Sequence, residues 1–268
     1  MNRRKFAFLL ATLPLAAGPR ARAASHDTAL RNAIDGPRRT IANRVRDPFR
    51  HPAATLTFWG LRPGMTVVEI DPSGGYWTEI LAPYLKATDG RYVAAQGGDT
   101  TAFKARYADR AVWGDVTVTP FEATGGPLVP DGTADLVITS RNLHDWMWTP
   151  GRVEKALADF HAALKPRGLL GVEEHRADPR PMVPEARDGY VATAWLTRAV
   201  EKAGFQFDGA SEINANPRDT KDHPFGVWTL PPARRTHAKD QPTPAPFDPA
   251  KYEAIGESDR MTLRFRKA

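Results

Sequence analysis

A strand, a glycine-containing turn and a helix follow one another at residues 65–81, which read MTVVEIDPSGGYWTEIL. Residues 65–70 are apolar and rich in β-branched side chains, with prolines on both sides, which predicts a buried strand. Residues 76–85 repeat large apolar side chains at helical spacing. The stretch therefore predicts one βα unit, with its turn at residues 71–75.

The same alternation of strands and helices continues along the chain. The apolar runs predict further strands at residues 91–95, 116–120, 134–139, 168–174 and 205–213. The amphipathic stretches predict helices at residues 100–108, 152–164 and 189–203. Such alternation is typical of an α/β fold with a largely parallel sheet. A last alternating run, residues 260–266, predicts a strand at the edge of this sheet.

The first 23 residues have the three-part layout of a signal peptide. Residues 3–5 are basic, residues 6–17 are mostly apolar, and residues 21–23 (Ala-Arg-Ala) offer a small-residue cleavage site. The paired arginines fit a twin-arginine signal, and a plain secretory signal is the alternative. Because the apolar run is too short for a permanent anchor, we expect cleavage before Ala24 and a periplasmic or secreted protein.

Composition excludes several classes of function. The signal holds five of the 37 basic residues and none of the 31 acidic ones, so its removal takes the net charge from +6 to +1. A nearly neutral domain lacks the concentrated basic face that nucleic-acid binding needs. The chain has no cysteine, which excludes disulfides, thiolate metal sites and cysteine nucleophiles.

The chain divides into three parts. We predict a signal peptide at residues 1–23, an N-terminal helical segment at residues 24–60 and an α/β domain at residues 61–268. Residues 214–259 form a proline-rich insertion in which no regular structure is indicated. A loop of this length in a compact domain is either a mobile lid or an ordered wrap over the sheet, and we favour the wrap.

Two motifs carry a resemblance to a known family. The first runs from Glu69 to Leu81 across the turn, and the second, RNLHDW at residues 141–146, follows a predicted strand. Together they resemble the class I S-adenosylmethionine-dependent methyltransferases and, more narrowly, an exported group of predicted methyltransferases. The resemblance covers residues 48–268. It implies a Rossmann-like, seven-stranded, mostly parallel sheet with helices on both faces, and S-adenosylmethionine as the cofactor.

The resemblance also implies which residues bind the cofactor. The family's first motif is an acid followed by three alternate glycines, and this chain keeps the acid as Glu69 and the third glycine as Gly75. An acid that binds the ribose hydroxyls ends the family's second strand, but Gln96, a weaker neutral acceptor, stands here with Asp99 nearby. The cofactor-binding residues so implied are Glu69, Asp71, Gly74, Gly75, Gln96 and Asn142.

Four ionisable residues follow or end strands at the carboxyl rim of the sheet, where open α/β folds bind ligands. We predict His144 as a general base that Asp145 or Glu174 orients, because imidazole titrates near neutral pH. A capping histidine is the alternative. The candidate catalytic residues are His144, Asp145, Glu174 and His175. Since adjacent strand residues point to opposite faces, we do not expect Glu174 and His175 to share a metal ion.

Four aromatic residues lie close to these motifs, namely Tyr76, Trp77, Trp146 and Trp148. They could form an aromatic wall for a flat substrate. Aromatic side chains bury large areas, however, and are more often part of the core. We therefore expect these residues to belong to the core.

Taken together, these motifs predict an S-adenosylmethionine-dependent methyltransferase that acts on an unknown small acceptor outside the cytoplasm. Export is an objection, because S-adenosylmethionine is made inside cells. Two other functions stay open: a repurposed methyltransferase-fold protein that binds a small molecule, and a metal-assisted or acid–base enzyme that uses His144 and His175. The expected partner is a small-molecule substrate, with no nucleic acid and no permanent membrane anchor.

Overall fold

The computed structural model describes residues 28–179, 181–238, 242–243 and 246–268. Its sheet consists of β1 Thr66–Ile70, β2 Arg91–Gln96, β3 Val116–Pro120, β4 Ala134–Ser140, β5 Leu164–His175, β6 Phe205–Ser211 and β7 Arg260–Lys267. The strand order is β3-β2-β1-β4-β5-β7-β6. Pairing is parallel from β3 to β5, and β7 is antiparallel to both of its neighbours. The predicted seven-stranded, mostly parallel sheet is confirmed.

The position predicted for the last strand was wrong, because β7 lies between β5 and β6 and not at an edge. Leu263 and Phe265 point into the core and are fully buried. The polar residues that alternate with them, Arg264 and Arg266, each lie 2.9 Å from the Asp208 carboxylate of β6. The alternating pattern therefore reflects ion pairs between neighbouring strands, not a solvent-exposed edge.

Helices cover both faces of the sheet. They are α1 Ile41–Arg44, α2 Asp47–Arg50, α3 Pro52–Phe58, α4 Thr78–Ala87, α5 Thr101–Arg106, α6 Arg110–Trp113, α7 Leu143–Trp146, α8 Arg152–Ala163, α9 Thr193–Lys202 and α10 Pro249–Ile255. Residues 28–34 are also helical, and two 3₁₀ turns span Pro184–Ala186 and Gly226–Thr229. The sequence did not predict α6, whose first turn is capped by the Asp109 side chain.

Two hydrophobic clusters form the core, one on each face of the sheet. Strand β1 contributes to both, because Val68 and Ile70 join one cluster while Val67 joins the other. A strand that is buried on both faces is mostly apolar, which explains the apolar residues of the run at 65–70, with Glu69 as the buried exception. The carboxyl end of β1 is therefore held rigidly where the turn begins.

The proline-rich insertion contains more regular structure than the sequence indicated. It includes the 3₁₀ turn Gly226–Thr229 and helix α10, whose start is fixed by Pro249 and by the Asp248 carboxylate accepting from the Ala250 amide. Leu230, Tyr252 and Ile255 bury one another in a small cluster. The described part of the insertion is therefore packed, which agrees with the ordered segment that we favoured over a mobile lid.

The predicted signal peptide, residues 1–23, lies outside the described residues. Within the ranges that the structure describes, no helix combines the length and apolar character needed to cross a bilayer.

Candidate functional site

A cavity of about 240 Å³ opens at the carboxyl ends of β1, β4 and β5. Open α/β sheets bind ligands at this position. The lining residues come from the N-terminal segment (Arg46, Arg50), β1 and its turn (Glu69–Gly74), Tyr76 and Trp77, β4 and the residues after it (Ile138, Ser140–Asn142, His144, Asp145), His175, and the insertion (Val227, Trp228, Pro231–Ala233, Glu257, Ser258). The insertion and the N-terminal segment thus close the cavity from two sides.

The cofactor residues implied by the resemblance divide into two groups. Glu69, Asp71, Gly74 and Asn142 line the cavity, whereas Gly75 and Gln96 do not. A Cβ atom at Gly75 would lie 1.9 Å from the hydroxyl oxygen of Tyr107, so Gly75 faces the protein interior. The Gln96 side chain is also turned inward, with its Oε1 atom buried and without a hydrogen-bond partner among the described residues.

The turn after β1 has a distinctive backbone. Asp71, Ser73 and Gly75 stand at the three glycine positions of the motif, and their φ angles are +44°, +50° and +75°. Positive φ favours glycine, because a Cβ atom crowds the carbonyl oxygen in this region. The glycine-type conformation is thus present at all three positions although two of the glycines are replaced. Such strain concentrates at functional sites.

Glu69 is buried where β1 ends. Its Oε2 atom accepts hydrogen bonds from the Tyr92 hydroxyl at 2.5 Å and the Thr78 hydroxyl at 2.9 Å. Burial raises the pKa of Glu69 to about 7, against the opposing effect of these two donors. The carboxyl group therefore exchanges a proton near neutral pH.

Asn142 joins the two motifs physically. Its amide nitrogen donates to the carbonyl oxygen of Ile70 at 3.0 Å and lies 3.2 Å from the hydroxyl of Thr139. The end of β1 is thereby tied to the end of β4. This bond fixes the residues after β4, including His144, relative to the turn.

His144 is buried and points its ring at Glu174. The two side chains are joined by a 2.9 Å contact between Nδ1 and Oε1, and the same carboxylate accepts from the backbone amides of Leu143 at 2.8 Å and His175 at 2.9 Å. A carboxylate partner requires Nδ1 to donate, which leaves Nε2 as the acceptor whenever the ring is neutral. Nε2 lies 3.5 Å from Oδ1 of Asp145.

Charge controls the protonation of this histidine. Burial lowers the pKa of His144, but the adjacent Glu174 carboxylate outweighs burial and the pKa is raised overall. Burial also raises the pKa of Asp145. Of the two predicted orienting groups, Glu174 makes the close contact with His144.

His175 reaches the same cavity from the end of β5. Its ring centroid lies 5.0 Å from that of His144, and its Nδ1 atom lies 2.5 Å from the hydroxyl of Ser258. Burial, and then the charge on His144, hold the pKa of His175 well below its usual range. His175 is therefore a neutral imidazole at neutral pH.

Three residues lie close enough together to hold a metal ion. One ligating atom from each of His144, Glu174 and His175 falls within 4.8 Å of the others. The expectation that Glu174 and His175 point apart was wrong, because the Glu174 carboxylate folds back to accept from the His175 amide.

The aromatic residues are arranged differently from a single wall. Tyr76 and Trp77 are buried and also line the cavity, while Trp146 belongs to the core and Trp148 is 37% exposed. The cavity wall also includes Trp228 of the insertion, which the sequence analysis did not single out. Its ring centroid lies 5.7 Å from that of His144.

Solved structures with the same architecture identify the fold. A SAM-dependent methyltransferase from Aquifex aeolicus matches with a TM-score of 0.53 at 18% identity, over 70% of this chain and 93% of that chain. The class I methyltransferase fold is present. Another protein with this methyltransferase fold, the [4+2]-cyclase SpnF, matches with a TM-score of 0.54 at 16% identity, over 91% and 94% of the two chains.

A third methyltransferase-fold protein was solved with two bound ligands. It is the 1,6-didemethyltoxoflavin-N1-methyltransferase from Burkholderia thailandensis with bound 1,6-didemethyltoxoflavin and S-adenosylhomocysteine. It matches with a TM-score of 0.50 at 14% identity, over 96% of this chain and 93% of that chain. No protein-family model matches the chain, and no curated protein matches it in sequence.

Proposed function

We propose that the protein is an S-adenosylmethionine-dependent methyltransferase that acts on a small acceptor outside the cytoplasm. One observation carries the proposal: the glycine-type turn after β1 and His144, whose ring is paired with the buried Glu174, line one cavity at the carboxyl rim of a methyltransferase fold. The turn supplies a place for a cofactor, and the histidine supplies a proton acceptor beside it.

The residues present fit the cofactor in most respects. The backbone is open at Gly74, since a Cβ atom placed there would have no neighbour within 4 Å. Glu69 and Asp71 offer carboxyl oxygens to hydroxyl or ammonium groups. With Gln96 turned away, Asp71 is the carboxylate nearest to the end of β2 that also lines the cavity, and it accepts from the Gly97 amide at 3.4 Å. We assign Asp71 the ribose-binding role.

His144 would remove the acceptor's proton. S-adenosylmethionine supplies a methyl group on a positively charged sulfur atom. Glu174 fixes the ring through Nδ1, so that Nε2 accepts the proton of an acceptor hydroxyl or amine as the methyl group is transferred. The Glu174 carboxylate then stabilises the imidazolium. His175 stays neutral, so its ring adds no charge beside the reacting groups.

A second candidate is an acid–base enzyme that uses His144 and His175 without the cofactor. The fold alone does not fix the reaction, because a [4+2]-cyclase shares it. The specific observation is the close set of His144, Glu174 and His175. The Glu174 oxygens already accept from three backbone amides and from the His144 ring, which favours proton transfer over metal binding.

The transfer of a labelled methyl group separates these functions. The protein is incubated with methyl-labelled S-adenosylmethionine and a panel of small hydroxyl, amine and carboxylate compounds, and products are detected by mass spectrometry. We expect labelled product with the wild type and at least a hundredfold less with His144→Ala, because positioned general bases contribute about 10²–10⁴-fold. Both proteins should bind S-adenosylhomocysteine equally. Binding without transfer to any compound would favour a small-molecule binding protein.

A further inference from the structure

Four arginines meet two glutamates along one wall of the cavity. Arg46, Arg50 and Arg141 line the cavity directly, and Arg260 lies behind them. The acids of this arginine cluster are Glu257 and Glu173, which are almost completely buried. The cluster therefore carries two more positive than negative charges.

The ion pairs leave this excess uncompensated. Glu257 lies 2.5 Å from Nε of Arg46, 3.1 Å from Nε of Arg50 and 2.7 Å from Nη1 of Arg260. Glu173 lies 3.0 Å from Arg260. One carboxylate is thus shared among three guanidinium groups, and the other pairs with a guanidinium that Glu257 already contacts.

Several guanidinium nitrogens have no partner. Among the described residues, the Arg141 side chain forms no hydrogen bond or salt bridge, and its Nε atom is buried. The Nη2 atoms of Arg46 and Arg50 are also buried without a hydrogen-bond partner in the described chain, and the Arg50 side chain is only 1% exposed. Buried donors without partners cost free energy, so a ligand that accepts from them would be stabilised.

The remaining acids near the cavity are engaged elsewhere, and Glu69 accepts from the hydroxyls of Tyr92 and Thr78. Asp47 forms a two-bond pair with Arg39 and accepts from the Tyr76 hydroxyl. Burial raises the pKa values of Asp71 and Asp145. The charged side chain that most opposes this effect is Arg152 for Asp71 and His144 for Asp145. These aspartates therefore leave the excess charge of the arginine cluster in place.

The backbone at Arg141 points to the same conclusion. Arg141 directly follows β4 and has a φ angle of +61°, a strained conformation for a non-glycine residue. Its amide is held by the Glu173 carbonyl at 2.8 Å. Burial, and then the charge of Arg46, lower the pKa of its guanidinium. Glu257 and Glu173 attract the Arg141 charge, but its side-chain donors have no partner among the described residues, so they are available to a ligand in the cavity.

We propose that the arginine cluster binds an oxyanion group of the methyl acceptor, so that the substrates of this protein are small carboxylates or phosphates. This inference rests on the proposed function, because it places the acceptor in the cavity with the cofactor. Guanidinium groups bind both oxyanions through paired hydrogen bonds. Arg141 and Arg50 would contact the oxyanion, and His144 on the same cavity would face the acceptor's reacting group.

Thermal unfolding of the full chain with inorganic phosphate or succinate tests the anion site, with sodium chloride at equal ionic strength as the reference. We expect one of these anions to raise the melting temperature of the wild type by about 5–10 °C at a hundredfold excess over its Kd. Arg141→Gln should weaken this binding at least tenfold, by about the strength of a charged hydrogen bond. In the absence of anion, the Arg141→Gln variant should have a higher melting temperature than the wild type. Arg110→Gln, an exposed control, should change neither the anion affinity nor the melting temperature.

Two outcomes would overturn the proposal. The first is a wild type that responds to neither anion while it still binds S-adenosylhomocysteine, which would leave the proposed function intact. The second is a result showing that the arginine cluster binds the carboxylate of the cofactor itself. In that case Arg141→Gln would weaken S-adenosylhomocysteine but not 5′-methylthioadenosine, which lacks the carboxylate, and the anions would compete with S-adenosylhomocysteine. We expect instead that the anions bind equally well when S-adenosylhomocysteine is saturating.

Discussion

The Nδ1 atom of His144 lies 2.9 Å from the Oε1 atom of Glu174, although the two residues are 30 positions apart in the chain. They meet because β4 and β5 are parallel neighbours whose carboxyl ends lie at the same rim. The carboxylate also accepts from the amides of residues 143 and 175. These backbone hydrogen bonds hold the carboxylate in the position from which it orients the histidine ring. This arrangement resembles a prepared general base more than a capping histidine, whose ring would bond to backbone groups.

Glu174→Gln should lower the pKa of His144. The Glu174 charge raises that pKa by stabilising the imidazolium, so its removal favours the neutral ring. Because a general base acts in its neutral form, the acid limb of the kcat/KM profile should move to lower pH. Asp145→Asn, a matched loss of charge 3.5 Å from Nε2, should move it less. An unchanged His144 pKa in both variants, measured by NMR titration, would contradict this account of the pair.

Glu69→Gln should make stability less dependent on pH. The pKa of Glu69 is raised from 4.5 to about 7 on folding, so the folded state binds this proton more tightly than the unfolded chain. That contribution is complete below pH 4.5 and is lost as the pH rises towards 7. Glutamine mimics the protonated form, so the variant should gain about 3 kcal/mol over the wild type between pH 4.5 and 8.

Urea unfolding at pH 4.5 and pH 8 measures this difference. Glu201→Gln changes an exposed glutamate and should show no comparable gain. A gain that is equal at both pH values would show that Glu69 does not titrate on folding.

Ser73→Gly should stabilise the protein by about 1 kcal/mol, because it removes a side chain from a residue held at positive φ. Ser73 has a φ angle of +50° and is exposed, so little packing is lost. Ser73→Ala keeps the Cβ atom and should show no such gain. Thermal unfolding compares the three proteins. If alanine stabilises as much as glycine, the hydroxyl and not the backbone is responsible.

Replacement of both Arg3 and Arg4 by lysine should block export. A twin-arginine signal requires the arginine pair, whereas a plain secretory signal needs only positive charge at that place. Fractionation of the native cells, with mass spectrometry of the protein's first residue, measures the result. We expect a wild type that begins at Ala24 in the periplasm and a full-length variant in the cytoplasm. Unimpaired export of the variant would identify a plain secretory signal.

The sequence predicted those elements whose burial is visible in their own pattern of apolar residues. Apart from Glu69, the run at residues 65–70 is largely apolar because β1 is covered on both faces, and this pattern is visible without knowledge of the partners. The position of β7 could not be read in the same way, because Arg264 and Arg266 are paired with Asp208 of another strand. The alternating sequence pattern of a strand is the same whether its polar residues face water or pair with a charged residue of a neighbouring strand.

The site was predictable only in its central strands. His144, Glu174 and His175 were found because they follow or end buried strands. Arg50 and Trp228 line the same cavity, but they come from segments whose sequence shows no strand periodicity. Arg46 and Arg50 are four residues apart, a helical spacing that was the one local signal for the arginine cluster. The inward orientation of Gly75 depends on Tyr107, a contact that no local pattern shows.

Binding of S-adenosylhomocysteine decides whether the cavity still accepts the cofactor. The full chain is titrated with this compound by isothermal calorimetry at pH 7, with adenosine titrated for comparison. We expect saturable binding of one molecule per chain, and at least tenfold weaker binding to Asp71→Asn, because Asp71 supplies a charged acceptor in the cavity. Folded protein that gives no binding heat and no rise in melting temperature at millimolar S-adenosylhomocysteine would show that this chain does not bind the cofactor.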